Sequence, residues 1–166
     1  MSSANLPVRK NKGFTQEALT LCHSSDLIDL HIDTLIPARL WGYSPLKRNK
    51  PWIFGRHFFG HLDLPRMQEG GVRGAMWSIT TNPLRSPKSR WHTLLRNIEG
   101  VKTLIQKSQG QLMFVRSVAE YHEAKERGAQ ACILSIQGGN AIEAASPAQL
   151  PDQLITRITL IHLTHS

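Results

Sequence analysis

From Leu27 to Asp33 the chain alternates strictly. Ile28, Leu30 and Ile32 fall on one side, and Asp29, His31 and Asp33 on the other. A period of two predicts a β-strand with an aliphatic outer face and a polar inner one. Ahead of it, residues 14–22 have the spacing of a short helix, with Thr15 as N-cap. Behind it, residues 35–61 are rich in Pro, Gly and Arg and carry no period, which predicts a long loop. Residues 64–69 form a short helix stopped by Gly70-Gly71, and residues 72–80 a second strand. After a basic turn over residues 83–90, Leu94, Leu95, Ile98, Val101, Leu104 and Ile105 recur at helical spacing, predicting a helix over residues 91–108.

A short strand follows at residues 112–115. Ser117 and Glu120 form a capping box at the head of a helix that ends at Gly128. Residues 131–137 predict another strand, with Cys132, Leu134 and Ile136 on one face and Ala131, Ile133, Ser135 and Gln137 on the other. A helix over residues 147–155 and a last strand over residues 157–165 complete the pattern.

Strands that alternate with helices indicate an α/β domain with a parallel sheet. Three strands end in a polar or ligand-capable side chain: Asp33, Gln137 and His165. In (β/α)₈ barrels the chemistry sits at that end of the strands. Their convergence favours an incomplete (β/α)₈ barrel, with a doubly wound sheet as the alternative. A full barrel takes about 250 residues and this chain has 166, so roughly the first half is expected, truncated at the C-terminus. Residues 1–25 read as a basic segment and short helix, and residues 26–166 as the partial barrel.

His31 and Asp33 carry the clearest chemistry. Two residues apart on a strand, they project from one face, and imidazole nitrogen and carboxylate oxygen both ligate divalent metals. The other reading of the pair is a buried hydrogen-bonded couple. His162 falls on the opposite strand face from His165, and His57, His61 and His92 have no ligand spacing. Ser78 and Ser135 lack a nucleophile signature.

Charge adds a second possibility. The net charge is +8, concentrated at residues 9–12, 39–56 and 85–96. Trp41, Tyr43, Trp52, Phe54, Phe58 and Phe59 interleave with the second cluster, a mixture able to stack on bases. No helix-turn-helix, zinc-finger or RNA-recognition signature accompanies it, so a solvated rim is expected and no nucleic-acid partner. No segment reaches the roughly 20 apolar residues of a transmembrane helix, and the polar N-terminus is no secretory signal. Cys22 and Cys132 each sit in an apolar setting as unpaired thiols, which favours the cytoplasm.

Four segments together resemble the membrane dipeptidase family (renal dipeptidase, peptidase M19), a group of amidohydrolase-type metal barrels. They are residues 28–35, IDLHIDTL; residues 63–67, DLPRM, with Gly70-Gly71-Val72 and Met76-Trp77-Ser78; residues 136–142, IQGGNAI; and residues 158–166, ITLIHLTHS. The resemblance implies a TIM-type barrel and zinc-dependent hydrolysis of a dipeptide substrate by two ions. It gives His31 and Asp33 as first-metal ligands and His165 as a substrate-binding residue. The two histidines of the second metal belong to later strands, so this chain alone is expected to be inactive or weakly active. A homodimer is the assembly open to the intact parent.

Where the family reads Glu-Gly-Gly-His, this chain reads Gln137-Gly138-Gly139-Asn140. The residue at the bridging position is therefore a neutral amide with one good oxygen donor. Weaker retention of the zinc pair, or a single zinc ion, is the expectation. No catalytic acid or base is assigned. The competing functions are a dipeptidase-like binding protein impaired by Gln137 and, more distantly, a basic nucleic-acid-binding module.

Overall fold

The computed structural model describes residues 15–50 and 61–145, and the backbone of residues 157–159. The basic N-terminal segment, Trp52, Phe54, His57, Phe58, Phe59, the expected helix over residues 147–155, His162 and His165 lie outside the described residues.

The described chain runs α1 (Gln16–Ser24), β1 (Leu27–Ile32), α2 (Leu35–Trp41), α3 (Leu64–Glu69), β2 (Val72–Thr80), α4 (Pro87–Lys107), β3 (Leu112–Phe114), α5 (Val118–Glu126), β4 (Gln130–Gln137), a 3₁₀ turn (Gly139–Ile142) and β5 (Arg157–Thr159). All pairings are parallel. β1 pairs β2, β2 pairs β4, and β4 carries both β3 and β5. β3 meets β4 at residues 130–132, and β5 meets it at residues 135–137. The wall is thus β1-β2-β4-β5, as in a barrel laid down in chain order. β3 is a side strand off the lower half of β4 and not a wall strand of its own.

Alternation decides what each face of β2 and β4 carries. The register pairs Ala75 with Cys132, Trp77 with Leu134 and Ile79 with Ile136. All six are buried, in one cluster with Leu64 and Met67 of α3 and Leu94, Ile98 and Val101 of α4. The opposite face pairs Gly74 with Ala131, Met76 with Ile133, Ser78 with Ser135 and Thr80 with Gln137. It grows more polar toward the C-terminal tips. At its lower end Ala131 packs with Val115, Ala124 and Ala129, so α5 covers the foot of this face.

Helix ends follow their sequence signals. Thr15, Asp63, Ser86 and Ser117 each accept a backbone N–H as N-cap, and the capping box of Ser117 and Glu120 is complete. Two expectations are corrected. Residues 35–41 form a helix, closed by Gly42 at φ 66°. Its 7 residues, just under two turns, are too few for a hydrophobic period to show. α4 begins at Pro87, four residues earlier than the apolar spacing indicates, because Ser86 and Pro87 supply an N-cap and a proline at the first turn.

The aliphatic face of β1 is only partly covered. Ile32 is buried, but Leu30 is 63% exposed. Asp63 anchors what remains of the expected loop. Fully buried, it accepts the N–H of Asn49 at 2.9 Å and pairs with Arg66 at 2.8 Å. The Tyr43 hydroxyl donates to Leu62 O. Burial, with the Asp63 charge second, pushes that phenol up to about 12, so it remains a donor across the neutral range. Cys132 is buried and its thiol is raised by burial alone. Among the described residues no helix is long and apolar enough to cross a membrane.

Two tests probe this architecture. A Cβ on Gly74 would stand 2.7 Å from the Ala131 Cβ, so Gly74→Ala is expected to cost roughly 1–3 kcal/mol by overpacking. Pairing it with Ala131→Gly should restore only part of the loss in urea melts, because the Ala131 carbonyl oxygen would still lie 3.0 Å from the added Cβ. At the foot of the sheet, Lys125 Nζ lies 2.8 Å from Asp26 Oδ1, and its hydrogen bond lowers the Asp26 carboxyl. A carboxyl lowered on folding adds stability at neutral pH that is lost as pH falls through its folded value. Urea midpoints of the parent chain and Asp26→Asn should therefore converge between about pH 7 and about pH 3.

Candidate metal and substrate site

The C-terminal tips of β1, β2 and β4 bring together His31, Asp33, Ser78, Thr80, Ser135 and Gln137. His31 Nε2 lies 3.3 Å from Asp33 Oδ2. The two side chains keep 35% and 46% of their accessible surface, so the pair is open to solvent. The strand period puts them side by side as expected, in a hydrogen-bonded couple that is not buried. Within β1, Asp29 turns back to accept the His31 backbone N–H at 3.0 Å.

The other ring nitrogen points into the sheet. His31 Nδ1 is 3.1 Å from Ser78 Oγ, and Ser78 Oγ is 2.9 Å from Ser135 Oγ. Both serines are fully buried. Asp33, His31 and Ser78 thus form a line with the outline of an acid–base–nucleophile set. The Ser78 oxygen has no exposed surface, so it is not presented to a substrate and does not serve as a nucleophile.

One level higher, the Thr80 hydroxyl donates to Gln137 Oε1 at 2.7 Å. Gln137 faces the same way as Ser135 and its amide oxygen is engaged by its neighbour. Behind it, Gly138 turns the chain at φ 91° into the 3₁₀ turn. Arg90 of α4 holds that turn. Its Nε donates to Asn140 O at 2.9 Å and its Nη1 to Pro83 O at 3.1 Å. It also bonds Arg85 O and the Glu143 carboxylate. Only 7% of Arg90 is exposed. Its sequence setting, a run of basic residues, hides this role. His92, two positions on, is exposed on α4, and His61 is exposed beside α3.

The chemistry of the donor set allows a fit test for zinc. His31 Nε2 and Asp33 Oδ2 suit two adjacent ligands of one divalent ion. Among the described residues no group of three His, Cys, Asp or Glu side chains stands together, and the nearest tip amide adds no charge. The residues fit one ion gripped from one side. They do not fit a carboxylate-bridged pair. A separate cavity of about 420 Å³ opens between α2 and α4, lined by Leu35, Ala38, Arg39, Arg96 and Leu104. None of the strand-tip groups lines it.

Fold and site define part of an α/β barrel whose polar groups gather at the C-terminal ends of its parallel strands. Comparison with known proteins is specific on the family. The family described as membrane dipeptidase, peptidase family M19, matches residues 15–166, and the chain belongs to that family. Among solved structures, it resembles dipeptidase AC, a metallopeptidase of family M19, at 25% identity and a TM-score of 0.58. The match covers 74% of this chain and 38% of that one. A Rhodobacter sphaeroides metallopeptidase, solved with a phosphinate mimic of the dipeptide L-Ala-D-Ala, shares the fold at 22% identity and a TM-score of 0.57. There the match covers 74% of this chain and 41% of that one. The chain thus spans about two-fifths of the length of these structures.

Arg90→Met is expected to lose roughly 2–3 kcal/mol, because hydrogen bonds from a buried cation are removed together. Hydrogen exchange should quicken over residues 138–143, and Arg90→Lys should recover only part of the protection.

Proposed function

We propose that this chain supplies the first half of the active site of a zinc-dependent dipeptidase. The observation that carries the reading is the solvent-facing His31–Asp33 pair, 3.3 Å apart at the tip of β1, in a chain of the M19 family. His31 Nε2 and Asp33 Oδ2 hold the ion. A divalent ion bound there activates water at neutral pH and polarises a carbonyl. Gln137 occupies the place of the family's bridging glutamate, and His165 that of its substrate-binding histidine.

Gln137 favours one ion over two. A carboxylate there has two oxygens, so one can accept from Thr80 while the other faces the site. An amide has one oxygen, already shared with the Thr80 hydroxyl, and it brings no charge to offset a second cation. The same bond favours the second reading, a dipeptide-binding protein that retains the pocket and turns over little substrate. The nucleic-acid alternative loses ground on the basic stretches. Arg48 pairs with Glu69, Arg39 donates to Thr80 O, and Arg90 is buried. The unpaired thiols of Cys22 and Cys132 suit the reducing cytoplasm.

Elemental analysis of the purified full chain tests the metal. About one zinc per chain is expected, lost in the double variant His31→Ala/Asp33→Ala, and a zinc-free chain in excess zinc overturns the reading. Gln137→Glu should raise zinc retention on the order of tenfold. A dipeptide panel on the intact parent protein then separates enzyme from binder: hydrolysis that rises in Gln137→Glu supports the dipeptidase, and saturable binding without turnover supports the alternative.

A further inference from the structure

The buried hydroxyl pair behind His31 has no part in the function above, yet it contacts the ring nitrogen opposite the ligand. We propose that Ser78 and Ser135 form a reversible hydrogen-bond switch that lets His31 change tautomer when its Nε2 takes a metal. Ser78 is then a positioning residue acting through His31. The proposal rests on the metal reading of His31 and Asp33.

The inventory of donors and acceptors forces the argument. Without metal, the Asp33 carboxylate is acceptor-only, so the hydrogen of a neutral ring belongs on Nε2, facing Oδ2 at 3.3 Å. Nδ1 then carries a lone pair and needs a donor. Among the described residues the partner at hydrogen-bond distance is the Ser78 hydroxyl, 3.1 Å away. Ser78 in turn accepts from Ser135 at 2.9 Å. A metal on Nε2 reverses every demand. Nε2 must give up its hydrogen, and a neutral ring then carries it on Nδ1. That N–H needs an acceptor, and Ser78 Oγ is already in place. The Ser78 hydroxyl rotates to donate to Ser135 Oγ.

One proton leaves Nε2 and one arrives at Nδ1, both exchanging with water, so the ring stays neutral and no bond to carbon changes. The two hydroxyls keep their own hydrogens and only rotate. Neither state orphans a buried polar group at Nδ1. A carbonyl at the Ser78 position would only accept and a backbone N–H would only donate, so each would serve one state and penalise the other. A hydroxyl serves both. The register explains why two are needed. Ser78 and Ser135 are in-register partners on β2 and β4, which places the second hydroxyl within reach of the first.

The test is ¹⁵N NMR of the imidazole nitrogens in the full chain, with the His31 signals assigned by their loss in His31→Gln. The expected result is an Nε2–H tautomer without metal and an Nδ1–H tautomer in excess Zn²⁺. Ser78→Ala removes a buried hydroxyl without adding bulk and should weaken Zn²⁺ binding about tenfold, because the Nδ1–H of a cation-bound ring makes the stronger of the two hydrogen bonds that are lost. Ser135→Ala should leave the metal-free tautomer unchanged and weaken Zn²⁺ only a few-fold, since it removes an acceptor needed solely in the loaded state. Ser78→Ala/Ser135→Ala should bind no worse than Ser78→Ala alone. An Nδ1–H tautomer in the metal-free chain overturns the switch. So does Zn²⁺ affinity in Ser78→Ala equal to that of the parent. Zn²⁺ that moves no His31 resonance overturns the metal reading itself, a failure told apart by its silence at Nε2.

Discussion

The contact between β2 and β4 governs everything at the strand tips. Seven consecutive residue pairs hold these parallel strands in register, and at one end Gly74 lies so close to Ala131 that a Cβ there would stand 2.7 Å from the alanine methyl. One missing side chain lets two backbones approach, and the register then carries that approach upward. Ser78 meets Ser135 and Thr80 meets Gln137 because the pairing below them does not slip. A slip of one residue would turn each of these side chains to the opposite face. The outer face shows the same dependence, since Trp77 and Leu134 share a level and bury together under α4.

Polar groups in this sheet are arranged by height. At the foot, small apolar residues pack beneath α5. At mid-height two hydroxyls satisfy one another and one imidazole nitrogen. At the rim, an amide, a carboxylate and the second imidazole nitrogen meet solvent. Burying hydroxyls is tolerable because each has a partner. Arg90 extends the same logic outside the sheet. A guanidinium fork collects carbonyls from the loop before α4 and from the turn after β4, and ties the backbone beyond Gln137 to a long helix.

Most of the wall was legible in the sequence because period and capping agree there. β1, β2 and β4 alternate, α4 and α5 have an apolar period or a capping box, and Gly70-Gly71 and Gly128 mark ends. α2 was not legible, since seven residues that include Pro37 and Arg39 show no stripe. The rank of β3 was not legible, because a three-residue strand looks the same whether it builds the wall or flanks it. Within the site, His31 and Asp33 stood out through spacing. Ser78 and Arg90 did not. A serine mid-strand and an arginine in a basic run acquire meaning only through residues 47 and 50 positions away, and one sequence carries no trace of such pairings.

β1 has a single strand neighbour among the described residues, and its register to β2 is broken twice. Its opening free energy is set by that one seam, so it belongs with the least protected segments of the sheet. Yet it bears both proposed ligands, while the serine that reaches His31 stands on β2. A cation gripped by His31 and Asp33 would therefore favour the docked strand over the detached one by its own binding energy. Strand docking and ion capture become a single coupled equilibrium, in which the edge of the sheet is firm when loaded and labile when empty.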